Sequence, residues 1–341
     1  VTRTTAPQKS ILRRLLASLA FGFVVLLALM LLGDIRQVSQ QVFSFRWAYF
    51  PVVLALTLFN YTLRFFKWHY YLGQIGVRNY PLLRSARLFV AGFPLAVTPG
   101  KVGEALKGVW LKRECDVPIA SGVAVVVAER ISDGLAVLAL SSLGVFAYPQ
   151  FWPAFAAVLA FLLTIVMVSQ VRPLAEWLFN LGERLPGLRR LVPVLRDFYE
   201  GSFLLFKPTS TLVAVGLGTI SWLGEGLGFY IILLGLGLPA SWQTVSIAVF
   251  VLAFSTVVGA VSTLPGGLGA AEASIAGMLI LLLDLGNDTA AAATLLIRFA
   301  TLWFGVGLGL LVWAFSPDLL GLRETEPQAT IDAFSSTYPK P

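Results

Sequence analysis

The sequence predicts an all-α polytopic membrane protein with about six transmembrane helices, two re-entrant helical hairpins and an inverted internal repeat. Three observations lead there. Of 341 residues, 57% are hydrophobic and only 13% charged, with a mean hydropathy of +0.81. A soluble domain carries roughly 25% charged residues, so this chain has too little polar surface to cover itself in water. Two Pro-Gly stretches interrupt apolar runs: Thr98-Pro99-Gly100-Lys101-Val102-Gly103-Glu104 and Leu264-Pro265-Gly266-Gly267-Leu268-Gly269-Ala270-Ala271-Glu272. Each ends on a glutamate that is followed, 26 residues later, by an arginine within an apolar helix: Glu104 by Arg130, and Glu272 by Arg298.

Taken in order, Arg3, Lys9, Arg13 and Arg14 precede the apolar run 15–32. The positive-inside rule makes the N-terminus cytoplasmic and sends this helix outward. The run is too long for a signal-peptide core and lacks a small-residue cleavage site. After an external loop at 34–46, residues 47–66 return inward. Arg64 and Lys67 mark the end of that helix, beside interfacial Trp68, Tyr70 and Tyr71, and Arg64 is expected to snorkel. The first broken element, 88–111, enters and leaves on one side, because Arg84 and Arg87 precede it and Lys112 and Arg113 follow. Each of its arms is shorter than the roughly 20 residues a helical crossing needs.

Asp116-Val117-Pro118 reads as a helix start, with an N-cap acid and proline close behind. That helix reaches about residue 148; a tight loop at 149–153 and an inward helix at 154–171 follow. Residues 172–207 are the most charged stretch. Leu188, Leu191, Leu195 and Phe198 fall on one face there, as in a helix lying on the cytoplasmic membrane surface. Residues 211–238 run outward and contain Glu225. Residues 245–261 and 273–283 flank the second break, and 290–315 return inward carrying Arg298. The polar tail, 321–341, is expected to be disordered. Residues 1–320 thus make one membrane domain, with repeat 1 at about 47–142, repeat 2 at about 211–315, and 172–207 as the cytoplasmic connection. Both termini are placed in the cytoplasm, and the expected location is the cell (plasma) membrane.

Irregular, charged backbone at membrane depth is tolerated only where protein or a watery cavity surrounds it. Ionisable groups there are costly, and they are paired or functional. Lys101, Glu104, Glu129, Arg130, Asp133, Glu225, Glu272 and Arg298 are therefore the candidate substrate-binding residues. Pro99, Gly100, Gly103, Pro265, Gly266, Gly267 and Gly269 form the re-entrant loops. Glu129 and Asp133, one turn apart, need a nearby cation, which Lys101 or Arg298 could supply. Five carboxylates face three cations in this set, which requires a protonated acid or a bound cation. Plainer roles stand beside these. Glu104 and Glu272 could complement helix N-termini, Arg130 and Asp133 could form a fold-holding pair, Glu225 could bond a neighbouring helix, and the glycines could serve close packing.

The formal net charge of +7 resembles a nucleic-acid signal, but the basic residues sit at the ends of apolar runs, where they meet anionic lipid at the cytoplasmic surface. No nucleic-acid partner is expected. Cys115 is the sole cysteine and His69 the sole histidine, so neither an intramolecular disulfide nor a His-rich metal site is available. No cofactor or metal is expected, and no catalytic motif is present; a homo-oligomer is compatible with the sequence.

Pro99-Gly100-Lys101-Val102-Gly103-Glu104, Glu129-Arg130 with Asp133, and Pro265-Gly266-Gly267-Leu268-Gly269 with Glu272 resemble the lysylphosphatidylglycerol synthase transmembrane-domain family. This is the flippase-like domain of multiple-peptide-resistance-factor proteins, and the resemblance covers residues 10–320. It implies a lipid-translocating role on a phospholipid or lipid-linked headgroup, through a charged central cavity at the repeat interface. Bifunctional members carry a soluble aminoacyl-transferase domain after the membrane part. None follows here before Pro341, so the expectation is a stand-alone member that does not make lysyl-phosphatidylglycerol. The rival readings are an ion-coupled small-solute transporter using the same repeat logic and, more weakly, an integral-membrane enzyme acting on a lipid through its paired acids.

Overall fold

Inside lipid every backbone N–H and C=O has to find a partner within the protein, which leaves helices as the economical solution for an apolar chain. The computed structural model describes residues 34–145, 152–185, 187–316 and 318–319, with scattered positions between 17 and 28. These are mostly helical, with no strand among them. Most of the 15–32 helix, the 321–341 tail and most of the 149–153 loop lie outside the described residues.

Helix α1 (Ile35–Ser44) is capped by Asp34, whose carboxylate accepts the Arg36 N–H at 2.8 Å. Helix α2 (Phe50–Gln74) begins with Pro51 at a position where its missing N–H costs nothing. The first broken element follows: α3 (Leu82–Ala91), 3₁₀ turns at Phe93–Val97 and Pro99–Ala105, then α4 (Leu106–Cys115). Each arm is ten residues, about 15 Å, or half a hydrocarbon core. Helix α5 (Ile119–Val145) and α6 (Trp152–Ser169) come next. A bend of 77° separates α6 from α7 (Arg172–Arg184), and α8 (Val192–Leu205) packs back on α7. Helix α9 (Pro208–Gly235) leads to the second broken element: α10 (Trp242–Val261), a 3₁₀ turn at Pro265–Gly267 and α11 (Ala270–Leu283). Helix α12 (Asn287–Arg298) passes through a π-helical turn at Phe299–Trp303 into α13 (Phe304–Phe315).

Among the described residues, five helices are long and apolar enough to cross a membrane, or six if the bent α6–α7 pair counts as one. The all-α polytopic class therefore holds, with differences of detail. The arms of the second break are longer than those of the first: Trp242–Val261 and Pro265–Leu283 each have the length and apolarity of a crossing. Residues 172–207 form two helices packed on each other, with Leu188 in the turn between them and Leu191 at the start of α8, so they do not lie on one continuous helical face. Asp116 does not open α5. It closes α4 in the left-handed region at φ 54°, its N–H donating to the Lys112 carbonyl at 3.2 Å and its carboxylate accepting from Lys112 Nζ at 2.5 Å.

The two largest apolar cores among the described residues lie one at each break. One gathers Trp68, Leu88, Phe89, Leu95, Trp110 and Val125 around the first break; the other gathers Val53, Phe229, Phe250, Ile275, Leu279 and Leu296 around the second. Lipid tails are as apolar as leucine, so close packing rather than water exclusion holds such helices together. Glycines mark where it is closest. A Cβ at Gly309 would lie 2.2 Å from the Pro94 ring and 2.8 Å from the Val90 carbonyl, neither of which can swing aside, whereas one at Gly307 would meet nothing within 4 Å. Gly309→Ala is expected to cost about 1–3 kcal/mol in detergent unfolding, with Gly307→Ala near neutral. Equal effects from the two would remove the packing argument.

Candidate functional site

The two breaks meet at their tips. The Gly100 N–H donates to the Thr263 carbonyl at 3.0 Å, across 163 residues of chain, and Gly266 packs against Val97. Reversing the chain here requires left-handed backbone, found at Gly100 (φ 59°), Thr263 (φ 55°), Gly266 (φ 62°), Gly267 (φ 69°) and Gly269 (φ 88°). Glycine takes such angles without Cβ strain, which is why the sequence punctuates both apolar runs with it. Thr98 fastens the first tip: its Oγ1 accepts the Gly103 N–H at 2.8 Å and donates to the Leu95 carbonyl at 2.6 Å.

Both glutamate–arginine couples separated by 26 residues are ion pairs. Arg130 Nε lies 3.4 Å from Glu104 Oε2, and Arg298 Nε lies 2.5 Å from Glu272 Oε1. Glu272 Oε2 also accepts the Gly269 N–H at 2.7 Å, and Arg298 Nη2 donates to the Gly266 carbonyl at 3.3 Å. This couple therefore holds the second tip in shape as well as placing charge beside it. A π-helical turn begins at the residue after Arg298, and Tyr61 Oη donates to the Thr301 carbonyl within that turn at 2.6 Å. Such wide turns recur at functional positions in helices.

Asp133 is the centre of the larger group. It accepts from Lys67 Nζ, sits 3.3 Å from Arg64 Nη2 and lies 3.9 Å from Arg130 Nη1. Lys67 also donates to Ser132 Oγ at 3.2 Å. Glu129 pairs with Lys107 at 3.4 Å, and the Lys107 ammonium stands over the Trp68 and Phe89 rings, 4.9 and 5.3 Å from their centroids. A charge this deep needs a counter-charge, and the two aromatic faces add to that stabilisation. The described cations serving Glu129 and Asp133 are thus Lys107, Lys67, Arg64 and Arg130, while Arg298 pairs with Glu272 instead. The Lys101 and Pro99 side chains lie outside the described residues.

Arg64 does not snorkel: its side chain is 13% exposed and faces Asp133 and the Trp222 ring. Lys67 is fully buried, because α2 continues two turns past it to Gln74. With Arg64, Lys67 and Lys107 counted, five described cations face Glu104, Glu129, Asp133, Glu225 and Glu272. Among the described residues the charge deficit read from three cations becomes a balance of five against five. The missed signal was the three-residue spacing of Tyr61, Arg64 and Lys67, which puts all three along one side of α2.

Glu225 joins the two groups. It is 7% exposed and within electrostatic range of Arg64, Asp133 and Arg298, yet among the described residues it makes no hydrogen bond and no ion pair. Its neighbours Gly224 and Gly226 let α9 close on Phe59 of α2 and Val249 of α10. Around the cluster, Asn60 Oδ1, Arg64 Nε, Glu129 Oε1 and Trp222 Nε1 are buried without a hydrogen-bond partner. Arg130, with a side chain 28% exposed, is the most accessible of the charged groups of the cluster whose side chains are described.

Fold and site together define a polytopic α-helical membrane protein whose broken helices meet beside a buried network of ion pairs. The chain belongs to the family described as the lysylphosphatidylglycerol synthase TM region, whose family model matches residues 15–309. It is also similar to a UPF0104 membrane protein of Methanothermobacter thermautotrophicus, 25% identical over 307 residues that cover 85% of this chain and 90% of that protein.

Proposed function

We propose that this protein moves a phospholipid or lipid-linked headgroup between leaflets, using the charged cluster as its headgroup site. The observation that carries this reading is the contact between Gly100 and Thr263, which joins two broken elements that each bear a glutamate–arginine pair of the same spacing. In this reading the two elements are inverted-topology repeats, the design in which transporters put substrate between half-helices. Arg130, more exposed than Arg64 and Arg298, receives the phosphate first. Arg64 and Arg298 take it further in, Lys101 contributes a further positive charge, and the unpaired Glu225 attends the positive part of the substrate or a coupling ion. Both termini lie in the cytoplasm, with the basic residues on that side, and the protein resides in the plasma membrane.

Near-complete burial of the carboxylates favours a second reading, an ion-coupled carrier of a small anionic solute with a site closed to lipid. Reconstitution into vesicles separates the two. Labelled phospholipid should exchange between leaflets faster than in empty vesicles, and Arg130→Gln and Arg298→Gln should slow that exchange at least about tenfold, equivalent to about 1.4 kcal/mol. Exchange at the empty-vesicle rate, or folded variants with unchanged rates, would overturn the lipid reading. Solute uptake without lipid movement would establish the second.

A further inference from the structure

Away from the charged cluster, the 77° bend between α6 and α7 leaves two adjoining apolar grooves. The first, about 310 Å³, lies between the end of α6, α7 and α8 and is lined by Leu174, Leu178, Phe179 and Leu195. The second, about 350 Å³, lies between α5, α6 and α8 and is lined by Val127, Phe161, Ile165 and Phe198. Val168, Ser169 and Tyr199 line both, so the two grooves are halves of one site with a waist.

Two hydroxyls of the second groove are unspent, one of them Tyr199 at the waist and the other Ser202. Serine and threonine in a helix ordinarily bond back to a carbonyl one turn earlier. Thr164 and Ser169, in the same groove, do so at 2.7 Å each. Ser202, 4% exposed, does not, and its Oγ has no hydrogen-bond partner; nor does Tyr199 Oη. An apolar site with buried donors inside it suits a molecule of long hydrocarbon arms and a polar junction. The rim sets the sign of the headgroup. Arg172 and Arg196 are half exposed, stacked over Phe203 and Phe179 at 4.3 and 5.2 Å, and each is offset by one glutamate. Arg184, Arg189 and Arg190, beside the α7–α8 turn, make no ion pair among the described residues.

We propose that this double groove holds one anionic diacyl phospholipid as a fixed component. One acyl chain fills each half, ester or phosphate oxygens accept from Tyr199 and Ser202, and the headgroup faces the arginines. The bound lipid seats the α7–α8 hairpin, whose outer face exposes Trp177, Leu181 and Val194 to the bilayer. This site is separate from the charged cluster, and the inference holds whether or not the cluster transports lipid.

Native mass spectrometry of the full chain released from nanodiscs tests it. From phosphatidylglycerol discs the wild type should retain one lipid, and from phosphatidylcholine discs at least about fivefold less. The Tyr199→Phe/Ser202→Ala double variant, too conservative to unfold the protein, should lower phosphatidylglycerol retention at least about fivefold, as loss of two hydrogen bonds predicts. Arg130→Gln and Glu225→Gln should retain it in full. Equal retention of the two lipids, unchanged retention in the double variant, or loss of the lipid only in the Arg130 and Glu225 variants would each overturn the assignment.

Discussion

Asp133→Ala should destabilise the protein by about 3–5 kcal/mol, the cost of stripping the partner from a buried charge. Lys67 is fully buried and, among the described residues, its ammonium donates to Asp133 and Ser132 alone, and Arg64 loses its carboxylate in the same substitution. The reverse change should be milder. Lys67→Met leaves Asp133 with Arg64 and Arg130 still in place, and methionine fills much of the lysine volume. The two substitutions combined should recover part of the Asp133→Ala loss, because the stranded ammonium goes with its acid. Thermal unfolding of all four proteins in one detergent closes this double-mutant cycle. Asp133→Ala no more damaging than Lys67→Met would mean that Asp133 is not the hub of the network.

The residues that the sequence reveals and those it hides differ for a physical reason. Glu104, Glu272, Arg130 and Arg298 are legible because each interrupts, or closely follows an interruption of, an apolar run, and a charge stands out there. Their pairing at 3.4 and 2.5 Å repeats the shared spacing. Arg64 and Lys67 are hidden because aromatic residues follow them, a pattern identical to that of an interfacial helix end. Only packing shows that Trp68 and Tyr71 are core and that the helix runs on. Lys107 sits in a short apolar run that looks like half a crossing; its counter-charge, Glu129, is 22 residues away on another helix. Asp116 is ambiguous by chemistry, since an acid before proline serves as an N-cap and an acid in the left-handed region also ends a helix. Hydropathy sets which segments are helices and where they break. Which buried cation meets which buried acid is decided by tertiary contact, and no periodicity carries it.

Glu225→Ala should separate function from stability more sharply than any other substitution in the cluster. Asp133, Glu129, Glu104 and Glu272 each hold a cation, so their removal perturbs the fold and any loss of transport is confounded with it. Glu225 holds none within ion-pair distance and donates or accepts no hydrogen bond among the described residues. Deleting its carboxylate breaks no bond, and it removes a polar group whose burial is itself unfavourable. On either side of it α9 is already packed, on α2 through Gly224 and on α10 through Gly226. Unfolding stability should therefore change by less than about 1 kcal/mol, within the range of substitutions that disturb no named interaction. Leaflet exchange should fall at least about tenfold, equivalent to about 1.4 kcal/mol, because an acid positioned between Arg64 and Arg298 without bonding either is available to a ligand. Glu225→Gln, which keeps the shape and discards the charge, should lose exchange as Glu225→Ala does. If both variants exchange lipid at the wild-type rate, the acid joining the two ion-pair groups is packing material and the headgroup site must be drawn without it.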